Sequence, residues 1–429
     1  MDYPKIPSER WKRIIPIAFL MYTIAFLDRN NISFGLLGME KDIGIGATYA
    51  GLAAGVFFFG YIFLQVPGAL FAQKWSVKKY IAISLLAWGV ISVATGLVQN
   101  LTQLLIVRFL LGFVEGGVSP ATMILLTKWF PLNERSRANG YWYLCIPVAS
   151  IVSAPLSGLI LTFMDWRWMF IIEGMPPIIL AFIWWRMIDD SPSEAKWISK
   201  EEREYLETTL EKERQEIKKS TGTLKEAIKN RNVILLLLVF CFLQIGFYGI
   251  GLWLPKLIQS IVDGSMMKTS LLTAIPWVCA MFGSIINSKS ADKTKDYKWN
   301  IAIPILAGGI CLLLSVWLGK ENPIFSIAFL SLSLGFIFCY GVYWTAVTSY
   351  LTDSVLSVGI GTINAVGNLG GFVGPYFVGY LISTTGNFFV GEVFLIISLL
   401  ISGSLAMLLK TKRNEETNQM VETNAQVGN

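Results

Sequence analysis

The stretch IAFLDRNNIS, residues 24–33, places an acid, a base and two amides inside an apolar run that extends from about residue 14 to residue 37. Such a run is long enough to cross a bilayer, because a hydrocarbon core about 30 Å thick needs about 20 residues of helix. Each charge buried at its centre costs at least ~2.5 kcal/mol on insertion scales. Asp28 and Arg29 therefore indicate a functional site as well as a membrane helix.

The composition extends this pattern to the whole chain. Of 429 residues, 54% are hydrophobic and only 15% are charged, whereas soluble domains average about 25% charged residues. We predict an all-α membrane protein with twelve transmembrane helices. The apolar segments are 14–37, 48–72, 79–98, 101–127, 138–163, 168–187, 232–258, 270–288, 299–318, 323–350, 357–383 and 388–409.

The basic residues predict the orientation. If both termini and every connection from an even to an odd helix are cytoplasmic, most of the 35 Lys and Arg residues lie inside, as the positive-inside rule requires. Arg29 and Arg108 lie within the membrane. The net charge of +6 then reflects topology and contact with the lipid bilayer in a cell membrane, and not nucleic acid. The five basic residues left outside are Lys41, Arg167, Lys256, Lys268 and Lys320.

A long polar segment at residues 189–230, rich in Glu and Lys at i,i+4 spacing, separates the sixth apolar segment from the seventh. It predicts a helical connector that is solvated or interfacial. The chain then divides into an N-terminal six-helix bundle (1–187), a cytoplasmic linker (188–231), a C-terminal six-helix bundle (232–410) and a cytoplasmic tail (411–429). Two such bundles are typical of alternating-access transporters, in which substrate binds at mid-membrane between the halves.

The sequence also excludes several classes of chemistry. It contains no histidine, so a His-based proton relay, a His-ligated zinc site and a Ser-His-Asp triad are excluded. The five cysteines fall inside predicted helices without C-x-x-C spacing, which favours buried free thiols. We find no cofactor loop, metal cluster or nucleophile–base pair, and we predict a monomeric protein that is not an enzyme and needs no cofactor.

Four ionisable residues lie away from segment ends: Asp28, Arg29, Arg108 and Glu115. Arg108 and Glu115 are seven residues apart, which places them on one face of the fourth helix, about 10.5 Å apart along its axis. The four charges sum to zero. Ion pairs between the first and fourth helices could simply hold the bundle together, but apolar packing would do so at lower cost. Glu173 lies nearer a segment end and could reach an aqueous edge.

A functional interpretation follows from charge balance. A guanidinium matches a carboxylate or a phosphate in bidentate geometry. An anion that enters a neutral cavity makes it negative unless Asp28 or Glu115 takes up a proton. An anion entering a cell also works against ~2.3 kcal/mol per charge per 100 mV, which one proton cancels. The sequence therefore predicts that a small organic carboxylate and protons bind together and cross together.

Several motifs match a known family nearly end to end. They are LDRNNIS, RFLLGFVEGGVSPA (108–121), KWFPLNERSRANG, WRWMFIIEG (166–174), AKWISKEEREYL, FYGIGLWLPKLI and INAVGNLGGFVGP (363–375). The chain resembles the major facilitator superfamily, in particular its anion:cation symporters, which are importers of sugar acids, tartrate, phthalate and hydroxyphenylacetate. The resemblance implies that Arg29 contacts the substrate carboxylate and that Asp28 and Glu115 take the protons. It implies further substrate contacts at Tyr61, Trp344 and Asn364.

The departures from the family pattern bear on the substrate. Phe26 stands where the galactonate branch has a tyrosine, and the fifth helix lacks that branch's glutamine. Fewer donors for hydroxyl groups argue against a galactonate-like substrate, and the chain looks closer to the tartrate, rhamnonate and hydroxyphenylacetate permeases. Gln73 replaces the usual acid in the loop after the second helix, which puts the inside-gate ion pair of that half in doubt, whereas Asp292 is present in the second copy.

Two other functions stay open. An antiporter of organophosphates or organic anions would need more cavity cations than the two arginines. A membrane sensor that binds a carboxylate without moving it would need an output domain, which the sequence does not show. Efflux of organic cations fits poorly beside two buried arginines.

Overall fold

A computed structural model describes residues 8–216, 229–262, 265–319, 321–350 and 353–409, and every regular element in them is a helix. The helices before the linker are α1 (Glu9–Asp42), α2 (Ala47–Lys74), α3 (Val77–Thr95), α4 (Leu101–Gly116), α5 (Val118–Trp129), α6 (Leu132–Tyr143), α7 (Cys145–Phe163) and α8 (Trp166–Met187). The linker contains α9 (Lys200–Glu216). The later helices are α10 (Arg231–Ile261), α11 (Met266–Thr294), α12 (Tyr297–Leu318), α13 (Pro323–Ile337), α14 (Tyr340–Tyr350), α15 (Asp353–Gly367), α16 (Leu369–Thr385) and α17 (Phe388–Ala406).

Eleven stretches within the described residues are long and apolar enough to cross a membrane. Four of them join two consecutive helices: α4 with α5, α6 with α7, α13 with α14, and α15 with α16. Helix α1 is 34 residues long but is not among the eleven, because the polar residues 28–31 lower its hydropathy. The all-α membrane fold is confirmed, and each of the twelve predicted segments falls mainly on helix. The cytoplasmic placement of the termini stays a prediction.

Glycines bring α4 directly against α2. A Cβ at Gly112 would collide with the carbonyl oxygen of Phe57, and one at Gly116 with that of Tyr61. Small residues allow this close approach of membrane helices, where packing and not the hydrophobic effect drives association. As a result, the aromatic side chains of α2 are held beside the charged face of α4.

The helices before the linker meet those after it at the end of the bundle where α1 finishes. Gly51 of α2 packs on the backbone of Pro375 in α16, and Gly158 of α7 packs on Ser270 in α11. Near the same end, Lys256 Nζ lies 2.6 Å from Glu40 Oε1. These contacts close the space between the two groups of helices at that end.

The linker docks on the opposite end of the first helices. Glu202 of α9 is fully buried and accepts hydrogen bonds from the backbone amide of Glu9 (3.1 Å) and from Arg10 Nη1 (2.5 Å). Arg10 Nη2 also donates to Glu134 at 2.7 and 2.9 Å. The described part of the linker is therefore packed against the bundle, whereas the charge pattern allowed either a solvated or an interfacial connector. Residues 217–228 and the predicted tail lie outside the described residues.

We expect Glu202→Gln to lower the free energy of unfolding by about 2 kcal/mol, because Arg10 is only 2% exposed and loses a charged partner. The midpoint of thermal unfolding of the purified protein in detergent would measure this loss. Glu201→Gln is the matched control, since the neighbouring side chain is exposed and its removal should change stability by less than about 0.5 kcal/mol. Equal shifts in the two variants would contradict a structural role of the buried ion pair.

Candidate functional site

A buried ion pair joins α1 to α4, as the sequence predicted. Arg29 Nε donates to Glu115 Oε2 at 2.7 Å, and the side chains are 9% and 1% exposed. The second oxygen of Glu115, Oε1, is buried and has no hydrogen-bond partner among the described residues. Glu115 is thus paired on one side and unsatisfied on the other.

Aromatic rings enclose the Arg29 guanidinium. Its central carbon lies 4.8 Å from the ring centre of Tyr61, and the rings of Phe26, Phe57 and Tyr22 lie at 4.9, 5.3 and 5.9 Å. Such rings stabilise a cation that has left water. Tyr61, which the family resemblance implicated, therefore sits against Arg29.

In the described part of the chain Asp28 is hydrogen-bonded to α3 and to its own helix, and not to the arginines. Its carboxylate, 1% exposed, accepts hydrogen bonds from Trp88 Nε1 (2.9 Å), from the Ser92 hydroxyl and from Asn31 Nδ2 (3.2 Å). Three donors offset much of the cost of burying the charge. Sequence reasoning missed Trp88 and Ser92. The signal was their i,i+4 spacing, which puts two hydrogen-bond donors on one face of an apolar helix.

Arg108 is held by the backbone of α2 and by an aromatic ring. Its Nε donates to the carbonyl oxygen of Ala53 at 3.3 Å, and its guanidinium carbon lies 5.2 Å from the ring centre of Phe57. Its Nη1 is buried without a hydrogen-bond partner in the described part of the chain. A buried cation with an unused N–H is costly unless an acceptor arrives, so Arg108 offers a place for an anion.

A cavity adjoins both arginines and is walled by α1, α2, α4, α7, α10, α11 and α16. Its polar wall consists of Arg29, Arg108, Asn30, Ser33 and Ser150, with Asn30 Nδ2 donating to Ser150 Oγ at 2.9 Å. Asp28 and Glu115 do not line the cavity, so the acids lie behind the arginines. Its aromatic wall consists of Phe26, Phe57, Phe58, Phe247, Tyr248 and Trp277.

Tyr61 and the remaining two candidates, Trp344 and Asn364, do not line this cavity. Trp344 packs on Phe240, with the ring centres 5.4 Å apart. Asn364 Oδ1 accepts a hydrogen bond from Asn368 Nδ2 at 2.9 Å. Contact of Trp344 and Asn364 with substrate stays a prediction.

Asn364 ends a chain of hydrogen bonds that sequence reasoning missed. Gln244 Nε2 donates to Asn368 Oδ1 at 3.2 Å, and the Tyr340 hydroxyl donates to Gln244 Oε1. The available signal was Gln244 itself, a lone amide in an apolar stretch of α10. In the structure its side chain is buried, and the residue is 2% exposed. Such a buried amide needs partners on other helices.

Membrane helices around a cavity with buried, paired charges are typical of secondary transporters. Residues 18–375 match the model of the Major Facilitator Superfamily, and the chain belongs to this superfamily. This family transports and does not catalyse a chemical reaction, and the chain is a multi-pass membrane protein.

Three relatives from bacteria are similar over most of their length. A quinolone resistance transporter of Acinetobacter baumannii is 33% identical and covers 98% of this chain and 99% of its own. A putative tartrate transporter of Agrobacterium vitis is 32% identical with 94% of each chain covered. The inner membrane transport protein RhmT of Escherichia coli is 35% identical with 85% of each covered. These relatives confirm the predicted resemblance to the organic-anion branch of the superfamily.

Solved structures show the same fold. A bacterial homologue of the lysosomal transporter Spinster, in an inward-facing conformation, has a TM-score of 0.74 at 17% identity over 92% of this chain and 96% of that chain. The D-xylose-proton symporter has a TM-score of 0.72 at 15% identity over 93% of this chain and 99% of that one.

Proposed function

We propose that this protein imports a small organic carboxylate together with protons. The observation that carries the proposal is the buried Nη1 of Arg108, which has no partner within the described residues and adjoins the cavity. A substrate carboxylate oxygen would accept from it and complete its hydrogen bonding. A carboxylate suits this position because its geometry matches a guanidinium.

Charge balance provides the coupling. Asp28, Arg29, Arg108 and Glu115 are all buried and together carry no net charge. A bound anion would leave one uncompensated negative charge in a region of low dielectric constant, which is costly. A proton on Glu115 removes that charge. It also weakens the bond from Arg29 Nε, so that Arg29 can turn toward the substrate.

The closed end of the bundle supports an alternating-access cycle. If α1 runs outward, as the basic residues predict, the contacts of Gly51 with Pro375 and of Lys256 with Glu40 close the outer side. The conformation is then inward-facing, with the arginines between the closed end and the cytoplasm. Proton and substrate released inward would allow the helices to reopen outward.

The cavity favours an aromatic or other weakly hydroxylated carboxylate over a sugar acid. Aromatic rings supply much of its wall. Besides the arginines, the polar groups that line it are the side chains of Asn30, Ser33 and Ser150 and the ring donors of Tyr248 and Trp277. Apolar walls with a few polar groups orient a ligand that has one charged end. Antibacterial quinolones and tartrate, which occur in the names of two relatives, are both carboxylic acids.

Outward transport of a carboxylate is a second candidate function, favoured by the relative named for quinolone resistance. It would use the same site in the opposite direction. Membership of a transporter family disfavours the membrane-sensor interpretation.

Uptake into proteoliposomes tests the proposal. We expect benzoate-type acids to accumulate when the outside is acidic, tartrate and galactonate to accumulate more weakly, and a protonophore to abolish accumulation. Empty liposomes control for passive entry of the neutral acids. Accumulation of organophosphate only in exchange for phosphate, with no carboxylate uptake above the empty liposomes, would overturn the proposal. Carboxylate movement only from the cytoplasmic face would favour the second candidate.

A further inference from the structure

A third carboxyl group is buried among the first helices. Glu173 of α8 is 3% exposed, although its place nearer a segment end suggested access to water. Its Oε1 accepts a hydrogen bond from the Ser157 hydroxyl at 2.8 Å. Its Oε2 is buried with no hydrogen-bond partner in the described ranges. An ionised carboxylate in this position would leave a charged oxygen unsatisfied, which is costly.

The neighbouring Asn31 is unsatisfied in a complementary way. This α1 residue is fully buried, and its Nδ2 donates to Asp28 Oδ1 at 3.2 Å. The same side chain also interacts with the Glu173 carboxyl. Its own Oδ1 has no hydrogen-bond partner among the described residues. Two neighbouring side chains thus each present an acceptor without a donor, and a single hydrogen on one of them would satisfy both.

We propose that Glu173 is a proton-binding site, which carries a proton on Oε2 and donates it in a hydrogen bond to Asn31 Oδ1. The proton comes from water, forms an O–H bond on Oε2 and neutralises the carboxylate. Its departure leaves a carboxylate that keeps the donor Ser157. The proposal deepens the proton coupling proposed above, but the proton site itself can be tested without any transport.

The surroundings of Glu173 leave a proton as the available source of positive charge. The charged group that acts on it is Asp28 of α1, which repels a second negative charge. Helix α7 presents the neutral Ser157, and α3 presents the backbone of Val93 to the adjacent Gly174. In the described part of the chain no Lys or Arg forms an ion pair with Glu173.

Along the helices, Glu173 lies between the closed end of the bundle and Asp28. It lies about two turns, roughly 10 Å, from the start of α8. At that start the Trp166 indole donates to Asp42 at the end of α1, which is the closed end of the bundle. Asp28 lies about four turns, roughly 20 Å, from the same end. Glu173 and Asn31 therefore lie between the closed end and Asp28, as a proton path from outside to the buried charges requires.

A small cavity lies beside α1 and α7, near this path. It is lined by Asn30 and Ser33 of α1 and by Ser153 of α7, among others. Ser153 is one helical turn before Ser157, and its hydroxyl is buried without a partner within the described residues. The unsatisfied Ser153 hydroxyl therefore places a polar group of this cavity one helical turn from Ser157, the donor to Glu173.

Infrared difference spectroscopy of the purified protein between acidic and alkaline pH tests the proposal directly. We expect a carbonyl stretch of a protonated carboxylic acid that disappears as the pH rises and that is absent from Glu173→Gln. Glu392→Gln, a change in the last helix that adjoins neither cavity, should keep this band. A band that is identical in Glu173→Gln and the wild type would overturn the proposal, as would a band lost in that variant but invariant with pH.

Ser157→Ala is a second, gentler test should Glu173→Gln fold poorly. The ionised carboxylate loses its donor in this variant, so the band should persist to higher pH than in the wild type. An unmoved titration would contradict the proposal. The infrared readout involves no substrate. If Glu173 titrates but the protein accumulates no carboxylate, only the proposed function is wrong. If uptake is driven by protons but Glu173 does not titrate, only this inference is wrong.

Discussion

We expect Glu115→Gln to abolish the accumulation of substrate driven by a proton gradient while sparing exchange of internal for external substrate. Glutamine mimics the protonated acid, so substrate can bind with Arg29 released from its pair at 2.7 Å. The variant has no proton to give up, however, and the uptake of substrate no longer depends on the gradient. The loss should be the largest of any conservative substitution in the protein.

The measurement compares gradient-driven uptake with counterflow in the same proteoliposome preparation. Glu392→Gln is again the control, because it makes the same chemical change in a membrane helix away from the cavity. If gradient-driven accumulation survived in Glu115→Gln, the proton role of Glu115 would be wrong. If counterflow disappeared as well, Glu115 would be needed for binding or folding and not for coupling.

The second large effect is expected at the arginines. Arg108→Lys should weaken substrate binding by about 30-fold or more, which corresponds to about 2 kcal/mol, because an ammonium cannot reproduce the bidentate geometry of the guanidinium. Arg29→Lys should also weaken binding, since Lys cannot both pair with Glu115 and present a fork to the substrate. Isothermal titration of the purified variants with the best carboxylate from the uptake panel would measure both constants.

Arg137→Lys provides the matched control, because Arg137 is exposed and lies outside the cavity wall. Its affinity should equal that of the wild type. Unchanged affinity in Arg29→Lys with a large loss in Arg108→Lys would place the substrate carboxylate on Arg108 alone. Unchanged affinity in both would remove the carboxylate from this cavity.

The sequence predicted part of the pairing of charges between helices. Spacing places Arg108 and Glu115 on one face of α4, and the structure pairs Glu115 with Arg29. Spacing alone could not show that Asp28 accepts hydrogen bonds from Trp88 and Ser92, because these donors lie on a helix that begins far along the chain from Asp28. Spacing likewise does not show that Arg108 donates to the backbone of α2 and keeps a buried Nη1 without a partner in the described part of the chain.

In the linker, too, the sequence predicts the helix but not its contacts. Its charge pattern predicts a helix, and α9 is one. The pattern does not show that Glu202 pairs with Arg10, which also pairs with Glu134, because an exposed and a buried carboxylate look alike in a run of Glu and Lys. The adjacent Glu201 is exposed, and only the packing of α9 distinguishes the two residues.

By itself, the sequence determined that this protein crosses a membrane many times and that it buries a small set of charges, since hydropathy and the cost of a charge in hydrocarbon are properties of short segments. Only the tertiary structure decided which charges meet, which polar atoms remain unsatisfied and which walls enclose the cavity. Those features arise between helices distant in the chain, where the energy of each buried group depends on what its neighbours donate.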